Sequence, residues 1–229
     1  MNTIENKKRI KVCIIRSNPV RPDSRVEKEA WSLAETGYDV HILAWDRDTE
    51  QYETEDYVSV ADIEIPITRL GHKATFGEGF KNLKSYLAFQ FHMRKWLSNN
   101  EFDIVHACDF DTAFFSRGIV KRQHKKFVFD IFDFLYGEPH NLMQKCVKKA
   151  QLYIINHADA TIICTEERRK QIQGSNPKKL TVIHNTPADD PKLPQTGQLT
   201  WPIPWLAVTG TALFALGWWL CFRRKEETQ

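Results

Sequence analysis

The chain has 229 residues, of which 42 % are apolar and 27 % charged. That size suits one domain with a real core plus a short appendage, and a formal charge of +3 is too small to point to nucleic acid. Its five cysteines, Cys13, Cys108, Cys146, Cys164 and Cys221, have no C-x-x-C spacing, so they read as thiols of a cytosolic fold and exclude a disulfide framework.

Residues 1–11 are polar and charged, and the apolar run at 12–15 is far shorter than a signal-peptide core, so no export signal is expected at this N-terminus. The run RIKVCIIR (9–16) is β-branched enough for a buried strand and stops at Ser17, Asn18 and Pro19. A helix should follow, opened by the S-x-x-E pattern of Ser24 and Glu27 and closed at Gly37. YDVHILAW (38–45) then supplies the second strand of a β-α-β unit. The pattern predicts a strand region at 58–70, a helix at 80–97, a strand at 103–108, a helix at 110–121 and a strand at 127–132. It continues with a helix at 139–157 carrying Pro139 in its first turn, a strand at 160–165, a short helix at 166–173 and a last strand at 180–183.

This alternation implies an α/β fold, a Rossmann-like doubly wound parallel sheet occupying residues 1–187. Ligands of such sheets bind beyond the carboxyl ends of the strands. The polar residues gathered there are Ser17, Asn18, Trp45, Asp46, His106, Asp109, Asp130, Asp133, Thr165, Glu166, His184 and Asn185, each serving either as a loop and capping residue or as part of a crevice. No G-x-G-x-x-G follows the first strand, and no phosphate-binding loop or G-x-S-x-G elbow occurs. No H-E-x-x-H or close His/Cys spacing supports a metal site, so neither metal nor cofactor is expected. His106 suits a hydrogen bond to a sugar hydroxyl or a core tie to backbone. KRQHKK (121–126) suits an anion or a solvated helix end, and the 80–97 helix suits packing on the sheet or lying on a membrane surface.

Four segments, PDSRVEKEAWSLAETGYDVHILAW (22–45), EFDIVHACDFDTA (101–113), FVFDIFDF (127–134) and KLTVIHNTP (179–187), resemble in order and spacing the N-terminal domain of family 4 glycosyltransferases over about residues 10–187. The resemblance implies the first half of a GT-B fold, a metal-independent hexosyltransferase class in which this domain mainly holds the acceptor and a second domain binds the nucleotide-sugar. It also implies an acceptor cleft near Ser17, Asn18 and His106, with Asp109 and Asp133 as further candidates at the neighbouring strand ends. Cys108 stands where another His is common, and the first loop lacks the glycines many members carry. The acceptor would be a glycan or a lipid-linked sugar. No counterpart of the donor half is expected here, so the domain by itself would have little or no transferase activity.

After a Pro- and Asp-rich linker (188–200) containing Leu193, Pro194, Gln195, Thr196 and Gly197, residues 201–222 hold no charged side chain. About 22 residues at roughly 1.5 Å each give about 33 Å, enough for one membrane span. Trp201, Trp205, Trp218 and Trp219 mark its two ends, and Arg223, Arg224 and Lys225 follow in a basic tail (223–229) that belongs in the cytoplasm. LPxTG, span and basic tail together resemble the cell wall sorting signal of Gram-positive surface proteins. The resemblance implies cleavage between Thr196 and Gly197 by a sortase thiolate and transfer to a peptidoglycan precursor amine. Two placements follow: membrane and cell wall surface by the tail, or the cytoplasmic side of the membrane if export is lacking. The expected readings are a surface-anchored half of a glycosyltransferase, a membrane-tethered acceptor subunit of a split enzyme, or a carbohydrate-binding module.

Overall fold

A computed structural model describes residues 8–75 and 79–185. Strands and helices alternate in it as β1 (Lys11–Arg16), α1 (Ser24–Glu35), β2 (Asp39–Asp46), β3 (Thr54–Val60), β4 (Ile63–Gly71), α2 (Leu83–Asn99), β5 (Ile104–Cys108), α3 (Asp109–Arg122), β6 (Lys126–Ile131), α4 (Leu142–His157), β7 (Ala160–Ile163) and β8 (Leu180–Val182). Short 3-10 turns occupy Gly79–Asn82 and Glu166–Lys170. The linker, the LPQTG segment, the apolar run and the basic tail lie outside the described residues. Among the described residues no helix is long and apolar enough to cross a membrane.

The strands form one sheet in the order β3-β4-β2-β1-β5-β6-β7-β8. All neighbours are parallel except β3 and β4, which form an antiparallel hairpin. The single strand region expected at 58–70 is therefore two strands, reversed at Ala61, whose φ of 51° is left-handed. β3 (TEDYVSV) buries only Val58, so this polar edge strand gave little apolar signal.

Parallel strands need cover on both faces. On one face α2, α3 and α4 pack Phe89, Met93, Ala113, Val120, Ile154 and Ile155 against Ile15, Leu43, Val105, Phe129 and Ile163. On the other, α1 places Val26 and Ala30 against Val12, Ile14, Ile42 and Ile67. Local signals set the helix ends. The Asp23 carboxylate accepts from the Val26 N–H, and Glu27 Oε1 accepts from the Asp23 N–H at 3.1 Å. The cap is thus one residue earlier than the S-x-x-E pattern suggests, because Asp is at least as good an N-cap as Ser and is also held by Arg16. Gly37, at φ +95°, ends α1. α4 starts at Leu142, capped by Asn141 to the Gln144 N–H at 2.9 Å, so Pro139 precedes the helix.

Phe129, fully buried at the middle of β6, tests the core. Phe129→Ala in the full chain should cost about 3 to 5 kcal/mol in urea unfolding; a cost below about 1 kcal/mol would show that the packing described for β6 is wrong.

Candidate cleft at the carboxyl ends of the strands

The strand order reverses between β1 and β5, which makes their carboxyl ends the switch point where an open sheet leaves a crevice. Arg16 closes β1, and Asp109 begins α3 directly after β5. Arg16 donates through Nη1 to Asp109 Oδ2 and through Nε to Asp23 Oδ2 at 2.9 Å. Asp109 Oδ1 accepts from the Phe132 and Asp133 N–H groups at 3.1 and 3.0 Å. Asp109 adopts a left-handed φ of 69° to do so, a backbone state that Asp tolerates better than most residues. Burial opposes the Arg16 charge, but the surrounding carboxylates, Asp109 foremost, outweigh it and raise its pKa.

A cavity of about 600 Å3 opens above this tie, lined by Arg16, Asp23, Ser24, Arg25, Phe132, Asp133, Cys164, Thr165, Arg168, His184 and Asn185. The Arg16 and Arg25 guanidinium carbons lie 4.3 and 4.2 Å from the Phe132 ring centroid, within cation–π range. Arg168 donates to the Phe132 carbonyl and to Asp133 Oδ1, the latter at 3.3 Å.

Beneath the cavity four charged or titratable side chains join α1 to β5 and β6. Arg25 donates from Nε to Glu29 Oε1 at 3.0 Å and from Nη2 to Asp130 Oδ1 at 2.5 Å. His106 Nε2 lies 3.2 Å from Asp130 Oδ2 and 3.6 Å from Glu29 Oε2. Burial, then the Asp130 charge, pushes the Glu29 carboxyl up to about 7, with His106 and Arg25 pulling the other way. Burial works against a charged His106, but Asp130 and Glu29 prevail and raise its pKa.

Ligand atoms of Glu29, His106, Cys108 and Asp130 all lie within 4.8 Å of one another, a donor set of the kind that binds zinc. Arg25 already takes one oxygen of each carboxylate, and burial with Asp130 and Glu29 nearby raises the Cys108 thiol far above its ordinary range. Arg25 hydrogen-bonds both carboxyl groups, burial favours the neutral form of Glu29, and a zinc ligand set would need the Cys108 thiolate that this environment opposes.

Of the residues expected from sequence, Asp133, Thr165, His184 and Asn185 line the cavity. Asp109 braces its floor. His106 is only 5 % exposed and faces α1 beneath the cleft. Asn18 is occupied in its own loop, donating to Asp23 Oδ2 at 2.8 Å and accepting from the Val20 N–H at 2.9 Å. Ser17 hydrogen-bonds the Asp111 carboxylate, and its carbonyl accepts from Arg47 at 2.9 Å. Sequence reading passed over Arg16, Arg25, Glu29 and Arg168. The missed signal was in α1, where positions 25 and 29 flank the buried positions 26 and 30, so charges sit on the buried side of the helix. A second cavity of about 560 Å3, lined by Lys11, Asp39, Trp96, Asn100 and Phe102 among others, lies toward the amino ends of β1 and β2, away from the switch point.

The model of glycosyltransferase family 4 matches residues 25–186, well over half of the chain. The chain belongs to that family. The matched region runs from the first turn of α1 past β8, so it includes the buried network and most of the cavity lining. No curated protein matches the chain. Among solved structures it is similar to sucrose-phosphate synthase from Thermosynechococcus elongatus, with a TM-score of 0.55 and 14 % identity over 78 % of this chain and 90 % of that one. A second structure of that enzyme gives 0.59 and 13 % over 77 % of this chain and 48 % of the other. UDP-GlcNAc 2-epimerase from Methanocaldococcus jannaschii gives 0.51 and 14 % over 76 % and 45 %. The chain thus spans about half the length of the latter two, and the likeness is one of fold: a Rossmann-like half of the GT-B architecture.

The buried network sets a pH dependence for this family 4 domain. Glu29 is protonated in the fold up to about pH 7, against an ordinary value of 4.5. The folded state therefore binds the proton more tightly than the unfolded state, and the stability this confers is lost as pH rises through that window. His106, raised as well, is lost in the same direction. The urea midpoint of the full chain should fall between pH 5 and 8, and Glu29→Gln should flatten that fall by on the order of 2 kcal/mol. An equal slope in wild type and variant would remove Glu29 from the network's titration.

Proposed function

We propose that this family 4 domain binds a sugar acceptor in the cleft above β1, β5 and β6, and that its chain is held at the membrane and cell wall surface by the C-terminal segment. The observation that supports acceptor binding is the commitment of the cleft's charges. Arg16 is paired with Asp23 and Asp109, Arg25 with Glu29 and Asp130, and Arg168 with Asp133. A multiply charged phosphate would have to displace these carboxylates, whereas a neutral polyol needs only donors and acceptors at the rim, which Asp133, Thr165, His184 and Asn185 offer. In two-domain transferases the facing domain holds the donor, and positioning with water exclusion supplies much of the rate. Acceptor binding without turnover is therefore the activity proposed for the domain by itself. Asp133→Ala should weaken binding of the matching oligosaccharide at least fivefold by calorimetry while leaving the unfolding midpoint unchanged. Unchanged affinity would move the acceptor elsewhere.

Anchoring rests on the order of Leu193, Pro194, Gln195, Thr196, Gly197, the uncharged run 201–222 and Arg223, Arg224 and Lys225. The sortase thiolate attacks the Thr196 carbonyl, Gly197 leaves as a new N-terminal amine, and a peptidoglycan precursor amine then takes the acyl group. Incubation with a housekeeping sortase and triglycine should yield a product ending in Thr196 joined to glycine, and Thr196→Ala should yield none. An intact chain in both reactions would remove the sortase reading.

A membrane-tethered acceptor subunit acting on the cytoplasmic side is the second reading, favoured by the buried free thiols Cys13, Cys108 and Cys164, which suit a reducing compartment. Protease added to intact cells separates the two: digestion of the domain supports the surface placement, and protection supports the cytoplasmic one.

A further inference from the structure

The second cavity, of about 560 Å3, carries a chemistry that the cleft does not. α2 forms one wall of it, through His92, Trp96 and Asn99, and β2 with the hairpin forms the other, through His41, Thr68 and Glu55. Aromatic rings run along it. Tyr52 meets His92 edge-on at 4.3 Å between centroids, Trp96 stacks on Phe102 at 5.5 Å, and His41 lies 5.2 Å from Trp96. Carboxylates stand at two ends, Glu53 and Glu55 in and before β3, Asp39 and Glu101 at or just ahead of the amino ends of β2 and β5. Across the sheet Leu43 of β2 is level with Thr68, and Thr68 with Glu55, whereas Asp39 lies further back along β2, level with Lys11. With a rise of about 3.3 Å per residue and strands about 4.8 Å apart, the Asp39 and Glu55 backbones are roughly 16 Å from one another.

Among the described residues none of these four carboxylates is in an ion pair, and the one side-chain hydrogen bond to them runs from the Trp96 indole N–H to Glu53 Oε1 at 3.2 Å. In the cleft Asp23, Asp109 and Asp133 are each paired with an arginine. Here four carboxylates share a cavity with two cations, Lys11 and Lys95. Burial lowers the pKa of His41 against the pull of Glu55 and Asp39, and burial with Lys95 nearby lowers that of His92, so neither imidazole adds positive charge at neutral pH.

We propose that this second cavity binds a linear aliphatic polyamine, with ammonium groups at the Glu53–Glu55 and Asp39–Glu101 ends and the methylene chain along the rings between them. A single metal ion needs ligands that converge on one point, and Asp39 and Glu55 are too far apart to share one. An anion would meet the excess of carboxylates, and a neutral polyol would leave that excess uncompensated. A monoamine satisfies one end alone. An extended chain of ammonium groups reaches both, and beside ring faces its charges gain cation–π attraction in addition to the ion pairs. The cavity shares no lining residue with the cleft, so polyamine binding here is independent of acceptor binding there and of the sortase reading.

The test titrates spermidine into the full chain, held in a nonionic detergent, and reads the heat of binding. One saturable site is expected. Asp39→Asn with Glu55→Gln should weaken it at least about tenfold, whereas Glu64→Gln, which removes an acid of the same hairpin outside the cavity, should leave it unchanged. All three positions are exposed, and circular dichroism checks that each variant remains folded. A second measurement needs no substitution. Of two diamines with the same charge, the terminal diamine of octane can span the two ends and that of propane cannot, so the longer should bind wild type at least about tenfold more tightly. Absence of a saturable site for spermidine overturns the proposal. Equal affinity for the two diamines overturns it as well, since a ligand held at one end alone has no use for the span. An equal loss in Glu64→Gln and in the Asp39 and Glu55 variant overturns it in favour of diffuse attraction to the acidic hairpin.

Discussion

The domain depends on a buried pair of carboxylates being neutralised. Asp130 is fully buried at the end of β6, and α1, the one helix packed on that face of the sheet among the described residues, carries both the guanidinium that neutralises it and a second acid, Glu29. A buried ion is tolerated only when paired and hydrogen-bonded, and leaving one partner out typically costs about 3 to 5 kcal/mol. α1 therefore has one admissible register on the sheet, the one that brings Arg25 to Asp130 and Glu29 to His106. The same placement holds Arg25 beside Phe132 and Asp23 beside Arg16. The cleft floor is in this sense the upper surface of the network, and its shape is fixed before any ligand arrives.

Most of the fold was legible because apolar runs of four to six residues alternate with helical periodicity, and that pattern admits little besides a doubly wound sheet. The hairpin was legible only in part. β4 (IEIPITRLG) shows its apolar content, but β3 has one buried residue on an open edge, and nothing apolar distinguishes such a strand from a loop. The cleft was legible as a place, through the rule that ligands sit at strand ends, and less so as a set of roles. His106 and Asn18 are polar residues at the right ends, yet their side chains are committed to Asp130 and Asp23. Which way a residue at a strand end points depends on the partner across the sheet, and Asp130 is 24 positions away from His106. Arg25 and Glu29 show the converse, since an i, i+4 ion pair on a helix ordinarily reads as solvated surface, and only their adjacency to Val26 and Ala30 hints that the pair is buried.

Charge is spread unevenly over the helices of the same architecture. On one face of the sheet α1 carries Glu27, Glu29 and Glu35 beside Arg25 and Lys28. The other has three helices and nine basic residues with no exposed acid. Interior packing does not require this division, because the buried faces of α2, α3 and α4 are apolar regardless of what lies outside. Folding stability gains nothing from gathering like charges on one surface, and their mutual repulsion costs a little.

The position of that face relative to the cleft follows from topology. In a parallel sheet each strand's carboxyl end leads into the helix that follows, so α2, α3 and α4 begin at the end of the sheet where the cleft opens. Leu83 and Leu142 are the first residues of α2 and α4, which concentrates the exposed apolar side chains toward the cleft end of the layer.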